Sequence, residues 1–274
     1  MSTQSTQLPH DHKAVVREEF TRQADAYAAA AVITSEARLA RLVGAIRPAS
    51  GDRALEVATG PGHVAMALAA QCGEVVGIDL TEAPLRIAER MRIERGLTNV
   101  RFESGDAENL PESEFDIVVC RFAFHHFEDP RRVLAQMCRV CRAGGTVAVE
   151  DLYASEEPGR AAYWNAIERL RDHSHTRALG LSELVAMFAE AGIEIERLHS
   201  DEIAADVEAW LASAQTGAGD AREVRALLVR DMNEDLSGIR PFMHDGRLHF
   251  TQRTVAIVGR KLARQPDFSP ASTR

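Results

Sequence analysis

The stretch Leu55-Glu56-Val57-Ala58-Thr59-Gly60-Pro61-Gly62-His63 decides the fold. A short apolar run enters a turn holding Gly60 and Gly62, and a helical pattern starts directly behind it. Glycine suits such a turn because the backbone takes unusual dihedrals there and lets a ligand approach without a Cβ in the way. Outward from this point the same unit repeats. Residues 53–58, 74–79, 100–104, 115–120 and 146–150 read as strands, and 63–72, 81–95 and 130–142 as helices. The run FDIVVC at 115–120 is apolar enough to be buried on both faces. The helix at 130–142 carries its own boundary signals: Asp129 as N-cap, Pro130 at N1 and Gly144 past the end. Strand and helix alternating at this spacing predict a parallel sheet with helices on both faces.

The flanks are less regular. Residues 13–46 are helical, with Val15, Val16, Phe20, Ala24 and Tyr27 on one stripe and Leu39, Leu42, Val43 and Ile46 on the next. Beyond Asp151, residues 159–171, 182–191, 207–214 and 221–236 read as helices, with a loop at 215–220. Residues 193–198 and 247–261 read as strands. The expected organisation is a tail at 1–12, one domain at 13–262 and a tail at 263–274. Within the domain, 13–50 is a helical cap, 51–151 a cofactor-binding core and 152–262 a substrate-side half.

Composition narrows the function. The chain has 274 residues, 45% hydrophobic and 27% charged, which describes an ordinary globular protein. Its net charge of −9 argues against a nucleic-acid or anionic-membrane binder, since both need a positive field. No stretch approaches the ~18 apolar residues of a membrane span, and residues 1–12 lack the apolar core of a signal peptide. The expected location is cytoplasmic. Four cysteines are too few for a disulfide scaffold.

The ligand crevice of an open parallel sheet lies at the carboxyl ends of its strands, where the Gly60 turn falls. Asp79 ends the second strand 19 residues past Gly60, the offset of a carboxylate that accepts hydrogen bonds from ribose hydroxyls. Together they point to a nucleoside cofactor. Gly60-x-Gly62-x-x-Ala65 also fits a relaxed dinucleotide fingerprint. Glu56, however, would repel a pyrophosphate, and it suits a cofactor with an ammonium and a sulfonium. Asp106, after the third strand, is placed to meet an adenine amino group. Carboxylates with no Lys or Arg in the turn favour a cationic cofactor.

Four motifs, LEVATGPGH (55–63), GIDLT (77–81), GDAENLP (105–111) and FDIVVCRFAFHHFEDP (115–130), occur in linked order. In these the sequence resembles the class I S-adenosylmethionine-dependent methyltransferases, of the branch that includes the ubiquinone and menaquinone C-methyltransferases. The resemblance spans roughly residues 15 to 150. It implies a Rossmann-like doubly wound α/β sheet of seven strands with an antiparallel last strand, an N-terminal helical lid and a helical insert before the last strand. It also implies site roles. Glu56 and the backbone of Ala58, Gly60 and Gly62 hold the methionine end of S-adenosyl-L-methionine. Asp79 takes the ribose hydroxyls, with Leu80 near the adenine. Asp106 and Ala107 meet the adenine edge. Cys120 and Arg121 line the methionyl side, and Tyr27 belongs to the segment that folds over the cofactor. The family's usual first glycine is Ala58 here.

Methyl transfer needs alignment and an acceptor kept nucleophilic, often by a general base. The candidates are His126, Asp151, His173 and His175, with Arg253 as a possible anion contact. His125–His126 also reads as a device fixing the loop before Pro130, Asp151 as a loop cap, and Asp172-His173-Ser174-His175 as a solvated turn. Cys138-x-x-Cys141 has metal-ligand spacing, but both sulfurs fall on the apolar face of their helix, so core packing and no metal site is expected. The pair His10 and His12 reads as a solvated tail. The insert at 204–245, with Trp210, Leu211, Leu227, Met232, Phe242 and Met243, is expected to wall a substrate pocket. The leading function is methyl transfer to a small-molecule acceptor. The alternatives are a nicotinamide-dependent oxidoreductase and a relative that binds the cofactor but catalyses a non-methylating reaction.

Overall fold

The computed structural model describes residues 11–263. His10 and the segment beyond Ala263 lie outside the described residues. Three helices lead the chain: α1 (His12–Ala28), α2 (Ala31–Thr34) and α3 (Glu36–Ile46). The repeat follows as β1 (Arg53–Val57), α4 (His63–Ala69), β2 (Glu74–Asp79), α5 (Glu82–Glu94), β3 (Val100–Ser104) and β4 (Phe115–Arg121). A single 3₁₀ turn at Phe124–His126 leads to α6 (Pro130–Val140) and β5 (Cys141–Ala154). The second half holds α7 (Pro158–Arg171), β6 (Leu179–Gly180), α8 (Leu181–Glu190), β7 (Ile193–Asp206), α9 (Val207–Ser213), α10 (Ala218–Glu234), β8 (Phe242–His244) and β9 (Arg247–Lys261).

The main sheet runs β3-β2-β1-β4-β5-β9-β7, with β6 pairing β5 and β8 pairing β9 off that path. Strands β1 to β5 are parallel, and β9 inserts antiparallel between β5 and β7. The strand order reverses between β1 and β4, which opens a crevice at their carboxyl ends. Asp129 caps α6 by accepting from the Arg132 N–H at 3.0 Å, with Pro130 at N1. Leu55, Val57, Val118 and Val149 pack one face of the sheet against α6 and α8. Ala54, Val75 and Val119 pack the other face against α3 and α4.

Several expectations need correction. His12 opens α1 rather than ending a tail, and its Nε2 lies 2.8 Å from the His126 carbonyl oxygen. Strands β5 and β7 run well past 150 and 198. The long β9 offers both of them ladder partners, and as an edge strand β7 alternates buried and exposed residues that read as polar chain. Residues 218–220 belong to α10, not to a loop. The insert does not wall the cavity. Trp210 stacks on Trp164 and packs edge-on to Phe250 in a separate core, while Met232 and Met243 are exposed. The insert instead buttresses α1, whose Arg22 donates to the carbonyls of Ala214 and Gln215.

Cys138 and Cys141 lie in the core, their thiols against the carbonyls of Ala191 and Thr146. Burial pushes them up to about 11 and about 12, so neither offers a thiolate near neutral pH.

Candidate active site

The turn after β1 builds the floor. The Thr59 N–H donates to the Ile78 carbonyl of β2, which ties the turn to the neighbouring strand. Ala58 and Gly60 both hold left-handed backbone, with φ of 54° and 52°. A Cβ on Gly60 would meet only the edge of Tyr27, at 3.9 Å, so this glycine opens space above the turn. Gly62 has a different reason to be glycine. A Cβ there would come within 2.5 Å of the Phe102 ring, and the residue does not line the cavity.

Glu56 is buried on β1, with Oε2 accepting from Thr59 Oγ1 at 2.5 Å and from the Ala65 N–H at 2.7 Å. Among the described residues Oε1 has no hydrogen-bond partner, and Glu56 lines the cavity. Burial, only partly offset by those bonds and by Arg121, raises its carboxyl to about 7. Asp79 ends β2 with both oxygens turned to backbone: Oδ2 accepts from Gly60 and Oδ1 from Thr81, each at 2.8 Å. Burial raises it to about 6.

α1 closes the top. Lys13 Nζ bridges Asp106 Oδ2 at 2.8 Å and Glu108 Oε2 at 2.9 Å. Burial would raise the Asp106 carboxyl, but Lys13 and the Glu108 N–H hold it below the usual range. His63, at the start of α4, lies 3.1 Å from the Ala28 carbonyl and pins the other end of α1. The cleft spans about 990 Å³ of space between protein atoms, open solvent at its mouth included. Its charge is not purely acidic, because Lys13 and Arg121 also line it. Arg121 is fully committed: it donates to Glu150 Oε2 and to the carbonyls of Ile33 and Val32, which fastens α2 over the crevice.

Of the expected cofactor residues, Tyr27, Glu56, Ala58, Gly60, Asp79, Leu80, Asp106, Ala107 and Arg121 all line this one cavity. Cys120 does not. It points to the opposite face from Arg121, into the core, as strand alternation requires.

Among the four expected catalytic groups only His126 reaches the cavity. Asp151 is spent on its neighbour, with Oδ1 2.5 Å from His125 Nδ1 and also accepting from the Leu152 N–H. Burial works against charge on His125, yet Asp151 outweighs it and raises the imidazole. His175 is buried, its Nε2 2.8 Å from Asn165 Oδ1, and burial drives its imidazole far down. His173 is on the surface, 3.2 Å from Asp220. The turn around them is not solvated, since Asp172, Ser174 and His175 are all buried. Arg253 stacks on Tyr153 away from the cavity.

Sequence reasoning passed over Lys13, Phe122 and the Thr59 side chain, and read Asp172 and Ser174 only as parts of a turn. Phe122 lines the cavity with φ of 53°, a conformation costly for a bulky side chain. Its N–H is held by the Glu150 carbonyl at 2.7 Å. Nothing in the sequence signals that strain.

A carboxylate-lined crevice at the carboxyl ends of a doubly wound sheet, roofed by a helix, defines a nucleoside-cofactor protein. Comparison with known proteins carries this further. The family model described as a methyltransferase domain matches residues 48–192. An uncharacterized methyltransferase of Bacillus subtilis, YcgJ, is 31% identical over 207 residues, covering 75% of this chain and 82% of YcgJ. The YcgJ crystal structure matches with a TM-score of 0.77 at 29% identity, over 82% of this chain and 98% of that one. A putative methyltransferase from Bacillus halodurans matches at TM-score 0.78 and 32% identity, over 83% of this chain and all of the other. A ubiquinone biosynthesis O-methyltransferase of Thiobacillus denitrificans is 32% identical over 159 residues, 55% of this chain and 68% of its own length. This chain belongs to the methyltransferase-domain family, with S-adenosylmethionine as cofactor. The nicotinamide oxidoreductase reading is set aside.

The residues present suit that cofactor. The free Oε1 of Glu56 and the open space above Gly60 lie at one end, and Asp79 and Asp106 line the same cleft. Among the described residues no helix is long and apolar enough to cross a membrane.

Proposed function

We propose that this methyltransferase transfers its methyl group to a small-molecule acceptor, with residues 13–262 acting as one catalytic unit. One observation carries the reading. α1 lies over the cavity with His12, Lys13, Phe20 and Tyr27 lining it, which covers the crevice with a helix rather than leaving an open groove for a macromolecule. The net charge of −9 agrees, since a nucleic-acid substrate calls for a basic surface.

In this reading Glu56 Oε1 pairs with the cofactor's ammonium, and the Ala58–Gly60 backbone cradles the methionine end. Asp79 accepts from the ribose hydroxyls, Leu80 packs near the adenine, and Asp106 with Ala107 meets its edge. Tyr27 and Arg121 complete the wall. Bound S-adenosylmethionine supplies an electrophilic methyl group on a sulfonium. The chain's own part is to hold charge, fix orientation and exclude water. Gly62 and Cys120 serve packing. All four cysteines are unpaired and buried, which suits a reducing cytoplasm.

The test is transfer of labelled methyl from S-adenosylmethionine into cell extract, fractionated by size. Label in the low-molecular-mass fraction is expected. Label confined to protein or nucleic acid would overturn the small-molecule reading, and cofactor binding with no label anywhere would point to non-methylating chemistry.

A further inference from the structure

Below the cavity a chain of polar groups ends on one open imidazole nitrogen. His126 Nδ1 lies 3.1 Å from the Ser174 carbonyl oxygen and 3.0 Å from Ser174 Oγ. A carbonyl oxygen only accepts, so Nδ1 carries the hydrogen and Nε2 keeps its lone pair. Ser174 Oγ donates in turn to Asp172 Oδ1 at 2.5 Å, and Asp172 Oδ2 accepts from Gln23 Nε2 of α1 at 3.1 Å. Ser174 is wholly buried and Asp172 nearly so. Nε2 has no hydrogen-bond partner among the described residues, on a side chain that lines the cavity.

Resting on the small-molecule reading above, we propose that His126 Nε2 is the proton acceptor for methyl transfer, positioned by Ser174 and Asp172. The acceptor it serves is a neutral, largely apolar molecule with an acidic O–H, phenol- or enol-like.

The surroundings fit that role. Burial pushes His126 down to about 4, and His125 beside it, ring centroids 4.2 Å apart, works the same way. Asp172, the Ser174 carbonyl and Asp151 pull weakly in the other direction. From α1, Phe20 meets the ring edge-on at 5.0 Å and His12 bonds only the main chain of His126; His175 stands 6.3 Å off. The imidazole is therefore neutral near pH 7, while Asp151 raises the neighbouring His125.

The acceptor class follows from the walls. Phe20, Tyr27, Ile33 and Phe122 form an apolar side, and both cations that line the cavity, Lys13 and Arg121, already face carboxylates. An anionic acceptor finds no counter-charge there. A neutral O–H is too weak an acid to ionise against His126 beforehand. Its proton moves as the new carbon–oxygen bond makes the oxygen positive, which a base of modest strength suffices to accept. In balance, the acceptor oxygen bonds the methyl carbon and its proton passes to Nε2. The carbon–sulfur pair stays on sulfur, leaving a methyl ether, S-adenosylhomocysteine and an imidazolium.

The experiment uses the full chain, labelled with ¹⁵N-histidine and saturated with S-adenosylhomocysteine, from pH 5.5 to 8, with His126→Gln to assign the ring. Expected is a neutral His126 ring with its hydrogen on Nδ1 throughout. Ser174→Ala and Asp172→Asn should convert it to a mixture of tautomers, which a purely structural role would not do. Hydrogen on Nε2, or a cationic ring at pH 7, overturns the proposal. The same loaded protein is titrated with phenol, benzoate and benzylamine. Phenol should shift Nε2 and bind at least ~10-fold tighter than the two charged probes, and lose that margin in His126→Gln. Benzoate or benzylamine binding as well as phenol, or phenol leaving Nε2 unmoved, overturns the acceptor class. A chain that bound no S-adenosylhomocysteine would bring down the cofactor assignment itself, a separate failure.

Discussion

Asp79 Oδ2 accepts the main-chain N–H of Gly60 at 2.8 Å, so one carboxylate both shapes the glycine turn and faces the cavity that turn lines. Asp79→Ala should therefore weaken S-adenosylhomocysteine binding at least ~10-fold and also destabilise the fold by about 1–2 kcal/mol, since it strands the partly buried N–H groups of Gly60 and Thr81. Asp79→Asn keeps an acceptor for Gly60, so it should retain most of the stability while losing affinity. Calorimetry paired with urea unfolding separates the two effects. Unchanged affinity in both variants would remove Asp79 from the cofactor site.

Cofactor affinity should rise with pH. Desolvation raises Glu56, which is buried, to about 7 and Asp79, which is partly buried, to about 6 in the free protein. A bound cation favours their ionised forms and lowers both values, so binding below pH 7 expels protons. Affinity for S-adenosylmethionine is expected to climb ~10-fold or more between pH 5.5 and 7.5 and then level off. Titrations in two buffers of different ionisation enthalpy should show net proton release at pH 6. Glu56→Gln should flatten most of the slope, and proton uptake instead of release would contradict the assignment.

Ala58 holds φ of 54° in the turn that lines the cavity. A side chain in that region costs about 1–2 kcal/mol, while glycine's extra unfolded-state freedom costs about 0.5–1 kcal/mol. Ala58→Gly is thus expected to stabilise the chain by up to about 1 kcal/mol with affinity within ~3-fold of the parent. Ala58→Val should destabilise it, because a branched side chain tolerates positive φ worse than alanine. Thermal unfolding with and without S-adenosylhomocysteine reads both.

The pair His125–Asp151 lies outside the cavity and is expected to serve stability. Its folded imidazole is raised above the ordinary value by Asp151, against the opposing pull of burial. The stability it contributes is full below about pH 6.5, the unfolded value, and fades as pH rises through the higher folded one. Asp151→Asn leaves that imidazole buried without its counter-charge and should cost about 3–5 kcal/mol at pH 6. A double-mutant cycle with His125→Gln is expected to return a coupling of about 1–3 kcal/mol. Additive effects would mean that the two side chains act separately.

Much of this molecule is legible from periodicity. Strands β2, β3 and β9 start and end where the residue pattern places them, because apolar runs bounded by turn residues leave little choice. The cofactor end is legible for a related reason: strand, Gly60 turn and Asp79 are contiguous signals whose spacing is set by the βαβ unit itself. Strand β7 was harder to read, since an edge strand with one wet face looks like polar chain.

The proton-handling end was not legible in the same way. His126 lies on the loop after β4 and Asp172 and Ser174 together on the loop after α7, up to 48 residues from it, and Gln23 joins them from α1. Side chains so far apart meet only when the sheet brings the loop after β4 beside the loop after α7. That docking also buries Ser174 and His175, which a local reading of Asp172-His173-Ser174-His175 takes for a solvated turn. The sequence alone determined the doubly wound sheet and the glycine turn with the carboxylates that line its crevice, because local periodicity and turn chemistry act over a few residues. Only the tertiary structure decided which histidine faces the cavity, that Lys13 latches α1 onto Asp106, and that Asp151 belongs to His125. Those facts depend on which way a side chain points once distant segments pack, and burial, not spacing, sets the outcome.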